Sequence, residues 1–235
     1  MTKLFINIFF NFFLLYTSFC IGQTANPTRP SASDNAYLTE YGYTELEIGF
    51  SGNDNAYGFP ALLKFTFLDE LEAGLFISEI IHYENNETNI GDPGLQLKYQ
   101  FLNTTDISTA IVGKVGFVNT GNTIYTTYLV PTFQAPYAQV DLTVGTSFIK
   151  NSDEFESLFF YALALSPKVN TPLGLFFEVF GDISSEQNSV NVDVGMNYAL
   201  QTDFVLDAGY TIGLSSNPGI WLIQIGLTKT LFKIL

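Results

Sequence analysis

The 235-residue sequence is short of the residue types on which most chemistry depends. It holds one cysteine, one histidine, one tryptophan and one arginine, Arg29. Charged residues make up 14% of the chain, against about 25% in an ordinary soluble domain. Positive charge is scarcest, with 9 Lys and Arg against 23 Asp and Glu and a formal net charge of −14. That balance excludes a nucleic-acid partner, because phosphate contacts need a basic face. The sequence lacks a glycine-rich phosphate loop, an HExxH pair and a Cys/His cluster, so no metal and no cofactor is expected. His82 has Ser78 four residues and Glu79 three residues before it, a spacing that sets no catalytic geometry in a strand-to-loop segment. It reads as a solvated loop histidine, and the chain is not expected to be an enzyme. What remains is 47% hydrophobic and 16% aromatic, with 23 Phe, 13 Tyr and 19 Gly. That wealth of aromatics excludes disorder.

Residues 1–22 have the layout of a signal peptide. The basic start Met1-Thr2-Lys3 precedes the apolar run Leu4 to Leu15, and Cys20-Ile21-Gly22 places small residues before Gln23. Lipidation at Cys20 is the alternative, opposed by the bulky Phe19 where a small residue is needed. Cleavage after Gly22 removes the sole cysteine and leaves an exported chain without disulfides or thiol chemistry. Residues 23–40, with Pro27, Pro30 and several Ser and Asn, read as an irregular N-terminal arm.

From Tyr41 onward no apolar run approaches the ~18 residues of a membrane helix. The pattern alternates with period two instead. Val190, Val192, Val194, Met196, Tyr198 and Leu200 share one face, and Asn191, Asp193, Gly195 and Asn197 the other. The same holds for Ala138 to Phe148, Leu95 to Phe101, Phe204 to Ile212 and Trp221 to Leu227, and less cleanly for Glu72 to Ser78 and Tyr125 to Ala135. The count is twelve strands. Links near Leu68–Leu71, Leu102–Asp106, Ala135–Tyr137 and Gln201–Asp203 are short. Those at Glu79–Asp92, Ile149–Ser157, Gly181–Ser189 and Leu214–Gly219 are longer and polar. An even strand count with alternating link lengths predicts an all-β fold: a transmembrane antiparallel up-and-down β-barrel, residues 41–235, with short periplasmic turns and longer outer loops. A soluble β-sandwich also alternates. Composition separates the two, because the polar faces here carry Gly, Asn, Gln, Thr and Ser with little charge, unlike a sheet facing water.

Several stretches are similar to one family. They are Arg29-Pro30, Gly42 and Glu47-Ile48-Gly49-Phe50, then Gly91-Asp92-Pro93-Gly94-Leu95-Gln96-Leu97-Lys98-Tyr99, then Asp193-Val194-Gly195-Met196-Asn197-Tyr198 with Leu206-Asp207-Ala208-Gly209-Tyr210. Together they resemble the outer-membrane, transporter-like β-barrels named for a meta-pathway of phenol degradation. The resemblance implies a barrel that passes small, often aromatic, compounds and that carries no catalytic residues. The chain departs from the family at its end, where Lys233-Ile234-Leu235 follow Phe232.

The polar faces define the candidate lumen. Parity turns Glu45, Glu47, Glu72, Asp141, Glu178, Asp182, Asp193 and Asp207 inward, together with Lys64, Lys98 and Lys114. Hairpin centres set Glu72 opposite Lys98 as a cross-strand ion pair. They bring Glu178 close to Asp193 and Asp193 close to Asp207, three carboxylates that repel unless compensated. The arm is long enough to enter the barrel mouth at ~3.3 Å per residue. Arg29 is therefore the plug candidate, its guanidinium suited to bridging carboxylates; the alternative is a solvated leader. The expected function is passive passage of small solutes, hydrophobic or aromatic among them, across the outer membrane of a Gram-negative-type cell. The alternative is a structural or surface barrel with a packed lumen. Expected partners are outer-membrane lipid, an unidentified small solute and the barrel-assembly machinery.

Overall fold

The computed structural model describes residues 25–84, 87–118, 121–150, 155–185, 188–215 and 221–235. The signal-peptide and Cys20 expectations lie outside the described residues. In chain order the strands begin β1 (Tyr43–Gly52), β2 (Ala56–Gly58), β3 (Ala61–Leu68), β4 (Leu71–Ile77), β5 (His82–Glu84) and β6 (Glu87–Asn89). They continue β7 (Pro93–Asn103), β8 (Ile107–Phe117), β9 (Thr123–Gln134), β10 (Ala138–Lys150) and β11 (Phe155–Pro167). The last four are β12 (Leu173–Ile183), β13 (Asn191–Gln201), β14 (Phe204–Gly213) and β15 (Trp221–Lys233).

Twelve of these close into an antiparallel barrel. Each pairs with its neighbour in sequence, and β15 returns to β1, with Glu47 opposite Thr228 and Gly49 opposite Gly226. Closure leaves no sheet edge for lipid to desolvate. The other three strands form a projection on the long-loop side. Gly52 pairs with Tyr57, Tyr57 with Tyr83, and Tyr83 with Thr88. Two expected loops are corrected here. The Glu79–Asp92 link contains β5 and β6, and β10 and β11 stay paired up to Lys150 opposite Phe155, so most of Ile149–Ser157 is strand. His82 is likewise a strand residue, half-buried, with Nδ1 on the Glu79 carboxylate and Nε2 3.5 Å from Glu84. Ser78 Oγ does not face it but accepts the Asp92 amide.

The barrel is turned inside out relative to a soluble domain. On β7, Leu97 is 54% exposed and its neighbour Lys98 1%. The exposed large side chains are the Leu, Ile, Phe and Tyr rows, whereas the buried set is dominated by Glu, Lys, Thr, Asp and Gln. One wall is an exception: Val112, Tyr128 and Val130 form an apolar patch that faces inward with Phe160 packed on it.

This parity carries a prediction. Met196 and Asn197 are adjacent in the middle of β13; Met196 is 48% exposed on the outer face and Asn197 lines a lumenal cavity. Met196→Arg is expected to cost about 2–4 kcal/mol of barrel stability, the range for a cation at the bilayer midplane. Asn197→Arg costs much less, since Asp207 lies opposite it in register. Denaturant titration in liposomes reads the difference, and equal losses would contradict the assigned faces.

Candidate functional site in the lumen

The lumen wall gathers its charges in three places. On β1 and β3, Lys64 opposes Glu45 in register, and its ammonium reaches Glu45 Oε1 at 2.7 Å and Glu47 Oε1 at 2.5 Å. On β4 and β7, Glu72 lies opposite Lys98, with Lys114 on the adjoining strand β8, its Nζ 5.2 Å from the centre of the Tyr128 ring. On β12 and β13, Glu178 lies opposite Asp193. Asp141 stands apart on β10, accepting hydrogen bonds from Thr132 Oγ1 at 2.6 Å and Gln139 Nε2 at 2.8 Å. Asp182 sits at the long-loop end, where it accepts the Ser189 hydroxyl.

The expected grouping of Asp207 with Glu178 and Asp193 is corrected. Asp193 faces Thr211, and Asp207 faces Asn197. Four residues of strand at ~3.3 Å each separate the two rows.

Residues 25–40 occupy this charged interior as irregular chain. The segment starts at the short-turn mouth, where the Ala25 amide donates to the Thr202 carbonyl. Its main-chain amides then go to lumen carboxylates: Asn26 to Glu45 at 2.9 Å, Thr28 to Glu47 at 3.1 Å, Ala32 and Ser33 to Glu178 at 2.7 and 2.6 Å, and Thr39 to Glu72 at 2.8 Å. Hydroxyls of Thr28 and Ser31 add donors to Glu47 and Glu178. A buried carboxylate needs such donors. A Ser-, Thr- and Ala-rich strand of chain, with no side-chain bulk between amide and wall, supplies them.

The arm also brings its own acid. Asp34 accepts from Lys98 Nζ at 2.9 Å and from the Tyr128 hydroxyl at 3.2 Å. Burial pushes its carboxyl up, but Lys98, Lys114 and Lys64 outweigh burial and hold it below the usual carboxylate range. A depressed native pKa contributes stability that is present above the ordinary value of about 3.9 and is lost as pH falls through the native value. The arm is therefore expected to stay seated from neutral pH down to about pH 4 and to loosen below it. Hydrogen exchange at the Asp34 and Asn35 amides reads this, and loosening already near neutral pH would contradict it.

Arg29 and Pro30 sit at the turn of the arm, against three glycines of the wall. A Cβ at Gly49 would strike the Arg29 guanidinium, one at Gly226 would lie 2.7 Å from Arg29 Nε, and one at Gly209 would lie 3.0 Å from Pro30 Cγ. Glycine at these positions is what leaves room for the two residues. Arg29 Nε is 3.8 Å from Asp207 Oδ1, an ion pair without hydrogen-bond contact. The guanidinium meets Asp207 and not the Glu178–Asp193 pair, of which Glu178 takes donors from Ser31, Ala32 and Ser33.

Two cavities flank this point. One, of about 100 Å³, lies toward the short-turn mouth between the arm and Gln139, Asp141, Ser166 and Asn197. The other, of about 220 Å³, lies toward the long loops against Leu62, Phe76, Gln96 and Lys114. Thr28 and Arg29 line both.

The model of the family described as "Putative MetA-pathway of phenol degradation" matches residues 26–227. The chain belongs to this family. Among curated proteins none matches the sequence. Solved structures share the fold at low identity. A crystal structure of an outer membrane channel from Pseudomonas putida F1 is 10% identical, with a TM-score of 0.68, over 87% of this chain and 100% of that one. The KdgM porin is 8% identical, with a TM-score of 0.64, over 80% of this chain and 99% of its own. The NanC porin is 8% identical, with a TM-score of 0.61 and the same two coverages. This member of the phenol-degradation family thus has the closed twelve-stranded antiparallel barrel fold, and the three solved barrels named here are channels and porins rather than enzymes.

Sequence reasoning missed part of the lumen. Asp34, Tyr128, Thr132 and Thr143 all contact the arm or its partners. Tyr128 and Thr132 lie in the less cleanly alternating stretch Tyr125 to Ala135, where the run Tyr128-Leu129-Val130 is apolar on both faces and hides the parity. Lys229, buried and 2.5 Å from Asp203, was also missed as a paired cation.

Proposed function

We propose that this barrel is an outer-membrane channel through which small solutes, hydrophobic or aromatic among them, diffuse passively, with residues 25–40 narrowing the path. The observation that carries the reading is the pair of cavities on either side of Thr28 and Arg29. Polar groups in both, and an apolar wall in the larger, form a route for molecules with a polar end and an apolar body. Twelve strands fall between the side-chain-filled eight-stranded barrels and the open porins of 16–18 strands. A partly occupied lumen is in keeping with that size. The KdgM porin has been solved in complex with disordered oligogalacturonate. The arm here leaves space only for shorter or narrower solutes. Lipid surrounds the outer face, and insertion calls for the barrel-assembly machinery.

Liposome swelling with sugars, amino acids, phenols and benzoate tests the reading. Uptake of the single-ring compounds ahead of sugars of equal mass is the expected result. A second reading, a structural barrel with a packed lumen, is favoured by the number of carboxylates that the arm satisfies. A folded barrel that passes no solute and shows no conductance steps in planar bilayers would establish it.

A further inference from the structure

We propose that the larger lumenal cavity is a binding site for a monocyclic aromatic carboxylate, an inference that rests on the channel reading and gives its solute a chemical class. The cavity holds about 220 Å³. An apolar cavity of about 150 Å³ admits benzene, so there is room for one ring and a carboxylate. Its walls match the two halves of such a molecule. Leu62 and Phe76 face each other across β3 and β4. The Phe76 ring lies over Gly94, where a Cβ would strike it, and reaches to 3.9 Å from the Cβ position of Gly116. Glycine at 94 thus lets the ring lie against the wall, an aromatic surface for a second ring to pack on.

The polar end is cationic. Lys114 lines the cavity, and among the described residues its cationic contact is the Tyr128 ring rather than a carboxylate. Arg29 lines it too, with Nε and Nη2 buried and without hydrogen-bond acceptors from the protein. The one acid on the cavity, Glu47, is already engaged by Lys64 and Thr28. A chain of net charge −14 therefore presents two cations here, Lys114 resting on an aromatic ring and Arg29 held only by the ion pair to Asp207 at 3.8 Å. Cations sheltered from water favour a further anion, and a planar carboxylate fits the fork of a guanidinium.

The test is calorimetric titration of the full-length protein in detergent with benzoate, alongside acetate (charge without ring) and benzyl alcohol (ring without charge). Benzoate is expected to bind at least about tenfold more tightly than either control, and Lys114→Gln and Arg29→Gln each to weaken benzoate by about tenfold while leaving benzyl alcohol unchanged. Phe76→Ala weakens benzoate and benzyl alcohol alike. Heat-modifiability of the barrel on gels shows that each variant is folded; should Arg29→Gln fail to fold, Lys114→Gln decides alone. Benzoate binding equal to acetate, binding indifferent to Lys114→Gln, or no binding at all would overturn the proposal. Single-channel recording of the same preparation separates the two readings. A conducting barrel that ignores benzoate defeats only the site, and a silent barrel that binds benzoate defeats only the channel.

Discussion

Deleting residues 23–35 is expected to raise single-channel conductance several-fold and to turn the pathway cation-selective. The arm segment from Asn26 to Ser33 donates to Glu45, Glu47 and Glu178. Its removal empties the central lumen and exposes those carboxylates, with Asp193 and Asp207, to the solution inside. Against these acids stand Lys64, Lys98 and Lys114, so the wall becomes net negative and concentrates cations. Arg29→Ala is expected to move both quantities the same way but less far, because Asp207 loses its guanidinium while Glu178 keeps its amide donors. Planar-bilayer recordings with a salt gradient give conductance and reversal potential together. An unchanged conductance in a correctly folded deletion variant would reduce the arm to a leader without influence on the path.

The second large effect is expected at Lys64. Its ammonium directs its donors to Glu45, Glu47 and the Asn26 carbonyl at 2.7, 2.5 and 2.8 Å, in a place where its side chain is 1% exposed. Lys64→Met keeps the volume and removes the charge, leaving two carboxylates facing each other in the interior. Breaking a buried pair in this way costs about 3–5 kcal/mol. Combining Lys64→Met with Glu45→Gln and Glu47→Gln is expected to recover much of that loss, since the uncompensated charge and not the missing contact is what destabilises. Urea unfolding in lipid vesicles measures both variants. A single substitution costing less than about 1 kcal/mol would mean that water screens these glutamates.

The barrel itself was legible because lipid on one side and a polar lumen on the other impose strict alternation, and a strand such as Val190 to Leu200 can satisfy it in one register only. Hairpin arithmetic was good enough to place Glu72 opposite Lys98 and Glu178 opposite Asp193. It failed for Asp207, because proximity along a strand was read as proximity across it. The projection made by β2, β5 and β6 left no trace in the sequence, since three-residue strands are too short to show a period. The contacts of the arm were hidden for a different reason. Main-chain amides make most of them, and an amide is the same at Asn26, Ala32 or Thr39. What the sequence did show was a stretch of small polar residues with one arginine, at the right end of the chain and of the right length. Which carboxylate each amide meets depends on how the chain turns at Pro30, and that is settled by glycines at 49, 209 and 226 on strands far away in sequence.

The arm enters and leaves by one mouth. Ala25 is bonded to the turn at Thr202, and the chain regains the wall at Gly42, whose φ of +80° turns it into β1 and whose amide donates to Thr66. The segment is therefore a bent finger and not a thread. A thread drawn through a sealed cylinder would have to be in place before the last strand closed the seam, and withdrawing it would require an end of the chain to travel the whole length. A finger imposes no such order. The seam between β1 and β15, which joins residues at opposite ends of the chain, can seal first and receive the finger afterwards. Because residues 25–42 form no knot with the wall, withdrawal and return are changes of conformation alone, and every hydrogen bond of the wall can persist while they happen.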